Sequence, residues 1–227
     1  MNAKINVLEI GFHDITAKEA MREVMGYMRT EPVNIVELIN SDVLLRSKED
    51  ETLKDHVAQS DLVLAGERDI LELAGIMDRR KLQETESRLF TRMLLRFFHK
   101  NHSRVFLLVE TRSDLLRFND YLEEYYRGIE IVGMEFVPND PSMDDMILNS
   151  INGAEADCVI SVLPAPLQEK FVVRNRILLN TRLWLGLGKN AQLPPEKKEK
   201  KPFREFIIRL FLKREVEKEK QKKRKCI

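Results

Sequence analysis

Few residues in this chain are grouped in a way that could do chemistry. His99 and His102 stand three apart, a spacing that could seat a metal pair. No carboxylate or third ligand accompanies them, so a polar cluster beside a loop is the better reading. Cys158 and Cys226 are too few for a disulfide framework and lack metal-ligand spacing. Cys158 lies in an apolar run and reads as packing, and only Ile227 follows Cys226, which is short of a prenylation box. The strongest grouping is near the C-terminus. Phe203, Phe206, Ile207, Leu210 and Phe211 fall at i, i+3, i+4, i+7 and i+8, with Arg204, Arg209, Lys213 and Arg214 beside them. A basic amphipathic helix of this kind suits an anionic membrane surface. The alternatives are a solvated charge run, which the ordered apolar face argues against, and a face that docks permanently on the body and completes its core.

The charge is unevenly placed. The net charge of the 227 residues is +1, yet Glu196–Ile227 carries 14 Lys and Arg against 6 Glu, a net of +8 that leaves −7 on the body. Such a tail seeks anionic lipid, nucleic acid or an acidic protein surface, while the body does not. Nucleic acid is the weakest of these partners, because the acidic body shows no basic surface interleaved with aromatics. No apolar run approaches the roughly 20 residues that span a bilayer. Met1–Ile5 lacks the apolar core of a signal peptide, which gives an expectation of a cytoplasmic protein.

The elements that must position any site alternate along the chain. Thr16 and Glu19 form a capping box before a helix whose apolar positions include Ala20, Val24, Met25 and Met28. Asn34–Ile39 reads as a buried strand, 41–58 as a helix and Asp61–Ala65 as a second strand ending at Gly66. A helical stretch over 68–99 breaks near Gly75. Strands at Arg104–Val109, Ile129–Gly133, Asp157–Val162 and Leu183–Gly188 alternate with helices at 113–126 (capped by Ser113), 142–152 and 168–179. Continuous apolar strands alternating with helices predict an α/β fold: a mostly parallel, Rossmann-like sheet with helices on both faces. Ligands bind such sheets at the C-terminal strand ends. The expected division is a body over 1–188, of one lobe or of two meeting near residue 100, then a linker over 189–202 and a basic appendage over 203–227. Leu107, Val132, Ile160 and Leu185 should be buried in adjacent parallel strands, and Trp184 in the core.

Three separated segments resemble the WecB/TagA/CpsF glycosyltransferase family. Leu163-Pro164-Ala165-Pro166-Leu167-Gln168-Glu169 is similar to its turn and Pro-x-Gln-Glu helix start. Asn34–Asp50 resembles its strand ending in Thr-x-Asn with the helix that follows. Arg204–Leu210 is similar to a segment of its C-terminal appendage. Their order and spacing carry the resemblance over nearly the whole chain from about residue 8. It implies transfer of an N-acetylhexosamine of the N-acetylmannosamine type from a UDP donor to an undecaprenyl-diphosphate-linked acceptor. That is cell-envelope polysaccharide synthesis without a metal or other cofactor. It further implies a peripheral protein on the inner face of the membrane, and a homo-oligomer is left open.

Carried over by position, Asn40 matches the Asn of Thr-x-Asn, Gln168 the Gln of Pro-x-Gln-Glu, and Arg88 an Arg that follows the catalytic loop. Arg209 matches an appendage Arg suited to an acceptor diphosphate. There are departures. The position of the family's base, an Asp, holds Gly66, and Glu67 stands one residue later as the substitute base. Leu38 replaces the Thr of Thr-x-Asn, Val109-Glu110 replaces a glycine pair expected near the nucleotide, and Pro164 replaces the turn glycine. Glu67 as base competes with Glu67 as a turn or helix-start charge. Gln168 as a donor-sugar contact competes with Gln168 capping its own helix. An alternative to the enzyme is a degenerate family member acting as a membrane-associated binding or scaffold module.

Overall fold

A computed structural model describes residues 4–189, 193–194, 216–218 and 221. The chain opens with an antiparallel hairpin, β1 (Lys4–Val7) and β2 (Ile10–His13), which turns at Leu8 and Glu9 with φ of 49° and 66°. Sequence patterning gives no element here, because Lys4–Val7 and Ile10–His13 mix polar and apolar residues and lack the continuous apolar run that marks the buried strands. Next come α1 (Ala17–Tyr27), β3 (Asn34–Ile39), α2 (Ser41–Arg46), α3 (Thr52–Ala58), β4 (Leu62–Ala65), α4 (Arg68–Leu73), α5 (Arg79–Glu86) and α6 (Leu89–Asn101). The second half runs β5 (Arg104–Val109), α7 (Arg112–Tyr125), β6 (Glu130–Phe136), α8 (Asp144–Gly153), β7 (Cys158–Val162), α9 (Leu167–Asn175) and β8 (Leu183–Gly186).

All six strands β3–β8 are parallel and lie in the order β4-β3-β8-β7-β5-β6. This one sheet takes strands from both sides of residue 100. On one face α1, α6 and α7 pack Val24, Leu94, Phe98 and Phe118 against Val36, Leu107, Ile160 and Leu185. On the other, α8 and α9 pack Ile147, Ile151 and Phe171 against Ile35, Phe106, Val159 and Trp184. The hairpin, α2, α3 and α4 form a third cluster around Phe12, Ile39, Leu53 and Val63, which Val216 of the C-terminal segment joins. Among the described residues no helix is long and apolar enough to cross a membrane.

The capping box is present: Glu19 N donates to Thr16 Oγ1 at 3.3 Å, and Thr16 N to Glu19 Oε2 at 2.8 Å. The expected helix over 41–58 is two helices, since Asp50 turns its side chain onto Thr52 N and opens a new start. The stretch over 68–99 breaks at Gly75 as expected, and a second time at Arg88, both with positive φ. Thr111, not Ser113, caps α7 by accepting from Asp114 N. The helix expected over 142–152 begins as a 3-10 turn, Pro141–Met143. Helix α9 ends at Asn175, four residues short of Leu179. Leu107, Ile160 and Leu185 are buried in neighbouring strands as expected, but Val132 is only half-buried, because β6 is an edge strand with a bulge opposite Val105 and Phe106. The face Phe203–Phe211 and Arg209 lie outside the described residues.

Two substitutions separate local from packing contributions. Thr16→Ala removes one cap and should cost about 1 kcal/mol. Trp184→Ala empties a fully buried site stacked on Phe171 and should cost about 3–5 kcal/mol. Urea unfolding that ranks the two losses the other way would contradict this assignment of the core.

Candidate active-site cleft

Parallel strands deliver their loops to one end of the sheet, and a cleft opens there at the ends of β3, β4 and β8. Leu38 and Asn40 follow from β3, Ala65, Gly66 and Glu67 from β4, and Leu187 from β8. The start of α1 and the α5–α6 junction complete its lining. Asn40, Glu67 and Arg88 all line this cleft. Gln168 does not, and Arg209 is outside the described residues.

Each of these side chains is held by local geometry. Asn40 caps α2, its Oδ1 accepting from Val43 N at 3.1 Å, and it is almost fully buried. Glu67 occupies the cap position of α4, where its carbonyl accepts from Ile70 N at 3.1 Å and its side chain makes no cap hydrogen bond. Its Oε2 instead accepts from Ser41 N at 3.1 Å and, at closer range, from Ser41 Oγ. A carboxylate after β4 is thereby fastened to the first turn of the helix after β3. Gly66 sits between them with its N–H on Ile39 O at 2.7 Å, and a Cβ there would lie 2.9 Å from the same carbonyl. Position 66, expected from the resemblance to correspond to the family's Asp, is thus one that a side chain cannot occupy without the backbone moving. Arg88 joins α5 to α6 with φ 51° and ψ 43°, a conformation costing a non-glycine residue on the order of 1 kcal/mol.

Gln168 lies fully buried beneath the cleft floor. Its Nε2 donates to Glu37 Oε1 at 2.5 Å, and its Oε1 accepts from Gly188 N at 3.2 Å. It does not cap its own helix, which has no side-chain cap. Gly188 has φ +74°, and a Cβ on it would fall 2.6 Å from Asn40 Nδ2. Gln168 therefore braces the backbone against which Asn40 rests, and it acts on the cleft from below.

Charged groups on the cleft wall come from distant segments. Lys81 Nζ pairs with Asp14 Oδ1 at 2.7 Å, and Glu84 Oε2 accepts from Ala17 N at 2.8 Å. His13 also lines the cleft, its Nδ1 lying 3.1 Å from both N and O of Val63. Burial holds its pKa below the ordinary value, so the ring is neutral at neutral pH. Sequence reasoning missed His13, Asp14, Lys81 and Glu84. Asp14 and Lys81 are 67 residues apart, and nothing in the pattern links them. Glu37 was missed as well, although it carries a signal: a carboxylate inside an apolar strand needs a buried partner. Elsewhere, Glu110, at the expected glycine pair, forms an ion pair with Lys189 at 2.5 Å. His99 accepts from Gly128 N at 2.8 Å, a structural role. No group of three or more His, Cys, Asp or Glu able to hold a metal occurs among the described residues.

Comparison with curated proteins finds no match. The family model described as the Glycosyl transferase WecG/TagA/CpsF family matches residues 5–200, which takes in the hairpin from Ile5 onward, the whole parallel sheet and every cleft-lining segment. Given that span, the chain belongs to the WecG/TagA/CpsF glycosyltransferase family.

Proposed function

We propose that this chain transfers an N-acetylhexosamine, of the N-acetylmannosamine type, from a UDP donor to an undecaprenyl-diphosphate-linked acceptor in envelope polysaccharide synthesis. The observation that carries this reading is the convergence of Asn40, Glu67 and Arg88 in one cleft at the C-terminal strand ends. In the proposed step, the Glu67 carboxylate takes the proton of the acceptor hydroxyl. The hydroxyl oxygen bonds to the anomeric carbon as the bond from that carbon to the UDP oxygen breaks. UDP leaves with the bonding pair, and Arg88 offsets its charge. A single displacement of this kind inverts the anomeric centre. No metal takes part. The basic segment from Phe203 to Arg214 is proposed to hold the protein on the inner, anionic face of the membrane, within reach of a lipid-linked acceptor.

A second reading is favoured by Glu67 itself. Its hydrogen bonds to Ser41 make it a staple between α2 and α4, and Gly66 leaves no side chain where the family has its Asp. A protein built this way can keep the fold as a binding or scaffold module without turnover.

Three measurements bear on these readings. Millimolar UDP should raise the melting temperature by mass action, and a folded protein showing no shift would leave only the scaffold reading. Glu67→Gln should lower turnover by roughly 10²–10⁴-fold with the fold intact, while EDTA should leave wild-type turnover unchanged. Turnover that persists in Glu67→Gln removes Glu67 as the base. The intact chain should co-sediment with anionic vesicles, less so at high salt, and a chain ending at Gln192 should not. Equal sedimentation of the two chains refutes the anchor.

A further inference from the structure

Beneath the cleft floor the sheet holds an unusual row of polar groups. Glu37 of β3, Gly186 of β8 and Ser161 of β7 are register partners across three adjacent strands, so their side-chain positions share a face. Glycine at the centre of the row leaves the space that the Glu37 carboxyl and the Gln168 amide fill. A Cβ on Gly186 would fall 2.5 Å from Glu37 Oε2 and 2.7 Å from Gln168 Nε2. Glu169, the next residue of α9, is also buried, and its carboxyl is near enough to that of Glu37 for each to affect the other's ionisation.

The donors do not suffice for the acceptors. Glu37 Oε1 takes the Gln168 amide, but Glu37 Oε2 and both oxygens of Glu169 have no donor among the described groups. Two ionised carboxylates in contact out of water repel each other, and each carries a desolvation cost. The arrangement becomes tenable once a proton lies between them.

We propose that Glu37 and Glu169 form a proton-sharing carboxyl pair that positions Gln168, and through it Gly188 and Asn40, so that the cleft floor depends on a buried proton. Glu37 retains the proton and donates it to Glu169, while its other oxygen keeps the Gln168 amide in place. Glu37 and Glu169 are positioning residues and touch no substrate.

The surroundings add little that could neutralise the pair. Asp42 of α2 faces Glu169 with like charge. Lys170 of α9 is tied to Asp50, and Lys54 of α3 to Glu9. Asp144 of α8 is matched by Arg174, and α3 also brings Asp55 and the half-buried His56. Burial first, then the neighbouring carboxyl, pushes Glu37 well above the ordinary carboxyl range. Burial also pushes Glu169 up to about 7. For acids with raised pKa the folded state holds more protons than the unfolded chain. The stability the pair contributes is therefore complete below about pH 4.5. It declines as pH rises through about 7, where Glu169 ionises, and declines further as the Glu37 proton is lost.

The test is the ligand-free melting temperature of wild type and Glu37→Gln from about pH 5 to about pH 9. Glutamine keeps the shape and supplies an N–H to Glu169 without a titratable proton. The two proteins should melt together at acid pH, with the variant progressively higher as pH rises. Parallel curves overturn the pair. An infrared band of a protonated carboxyl should persist in wild type at about pH 8, and its absence overturns the pair even if the variant does not fold. The coupling to the cleft rests on the nucleotide reading above. The UDP-induced shift should fade at alkaline pH in wild type and persist in Glu37→Gln, and equal fading in both overturns the coupling. No UDP shift in either protein at any pH overturns the nucleotide reading, and the ligand-free curves then decide the pair by themselves.

Discussion

One strand, β8, joins the two parts of the parallel sheet. β8 inserts between β3 and β7, pairing Asn34 with Leu183 on one side and Cys158 with Leu183 on the other. Without it, β4-β3 and β7-β5-β6 would be separate sheets with two open edges each. Sheet closure is therefore highly non-local, since the chain must reach residue 183 before the pairing begun at residue 34 is complete. Every β8 residue is buried, and Trp184 stacks on Phe171 of α9, so side-chain packing reinforces the hydrogen-bond ladder.

The same strand organises the cleft. Its third and fourth residues, Leu185 and Gly186, face opposite sides of the sheet: Leu185 packs in the α1/α6/α7 core, and Gly186 makes room for Glu37 and Gln168. Two residues later Gly188 adopts a left-handed conformation, donates to Gln168 and approaches Asn40. Glycines here do two different things. At 186 the absent side chain is what matters, and at 188 backbone freedom and close approach both matter. The cleft is thus shaped by backbone that passes through the interior, and its exposed side chains are held from behind.

Much of this was legible in the sequence, for identifiable reasons. Continuous apolar runs announced buried parallel strands, and Thr16 with Glu19 announced the start of α1. Three of the five candidate site residues, Asn40, Glu67 and Arg88, share one cleft, because each closely follows a strand or helix that the sheet helps to place. Gln168 was read as a contact or a cap; it does not cap its helix and lies buried outside the cleft lining, since its partners on β3 and in the segment after β8 depend on strand order. The hairpin escaped because its strands lack a continuous apolar run. Asp14–Lys81 escaped because long-range ion pairs leave no local pattern. Helix ends slipped where competing caps, Thr111 against Ser113, lay two residues apart.

The central claim is that nucleotide occupies the cleft at the ends of β3, β4 and β8. Hydrogen–deuterium exchange with and without UDP tests it most directly. The account predicts protection in the segments around Asn40, Gly66–Glu67 and Thr85–Thr91, with the α8 surface unchanged. Protection confined to the ends of β5 and β6, with those three segments unaffected, would contradict it.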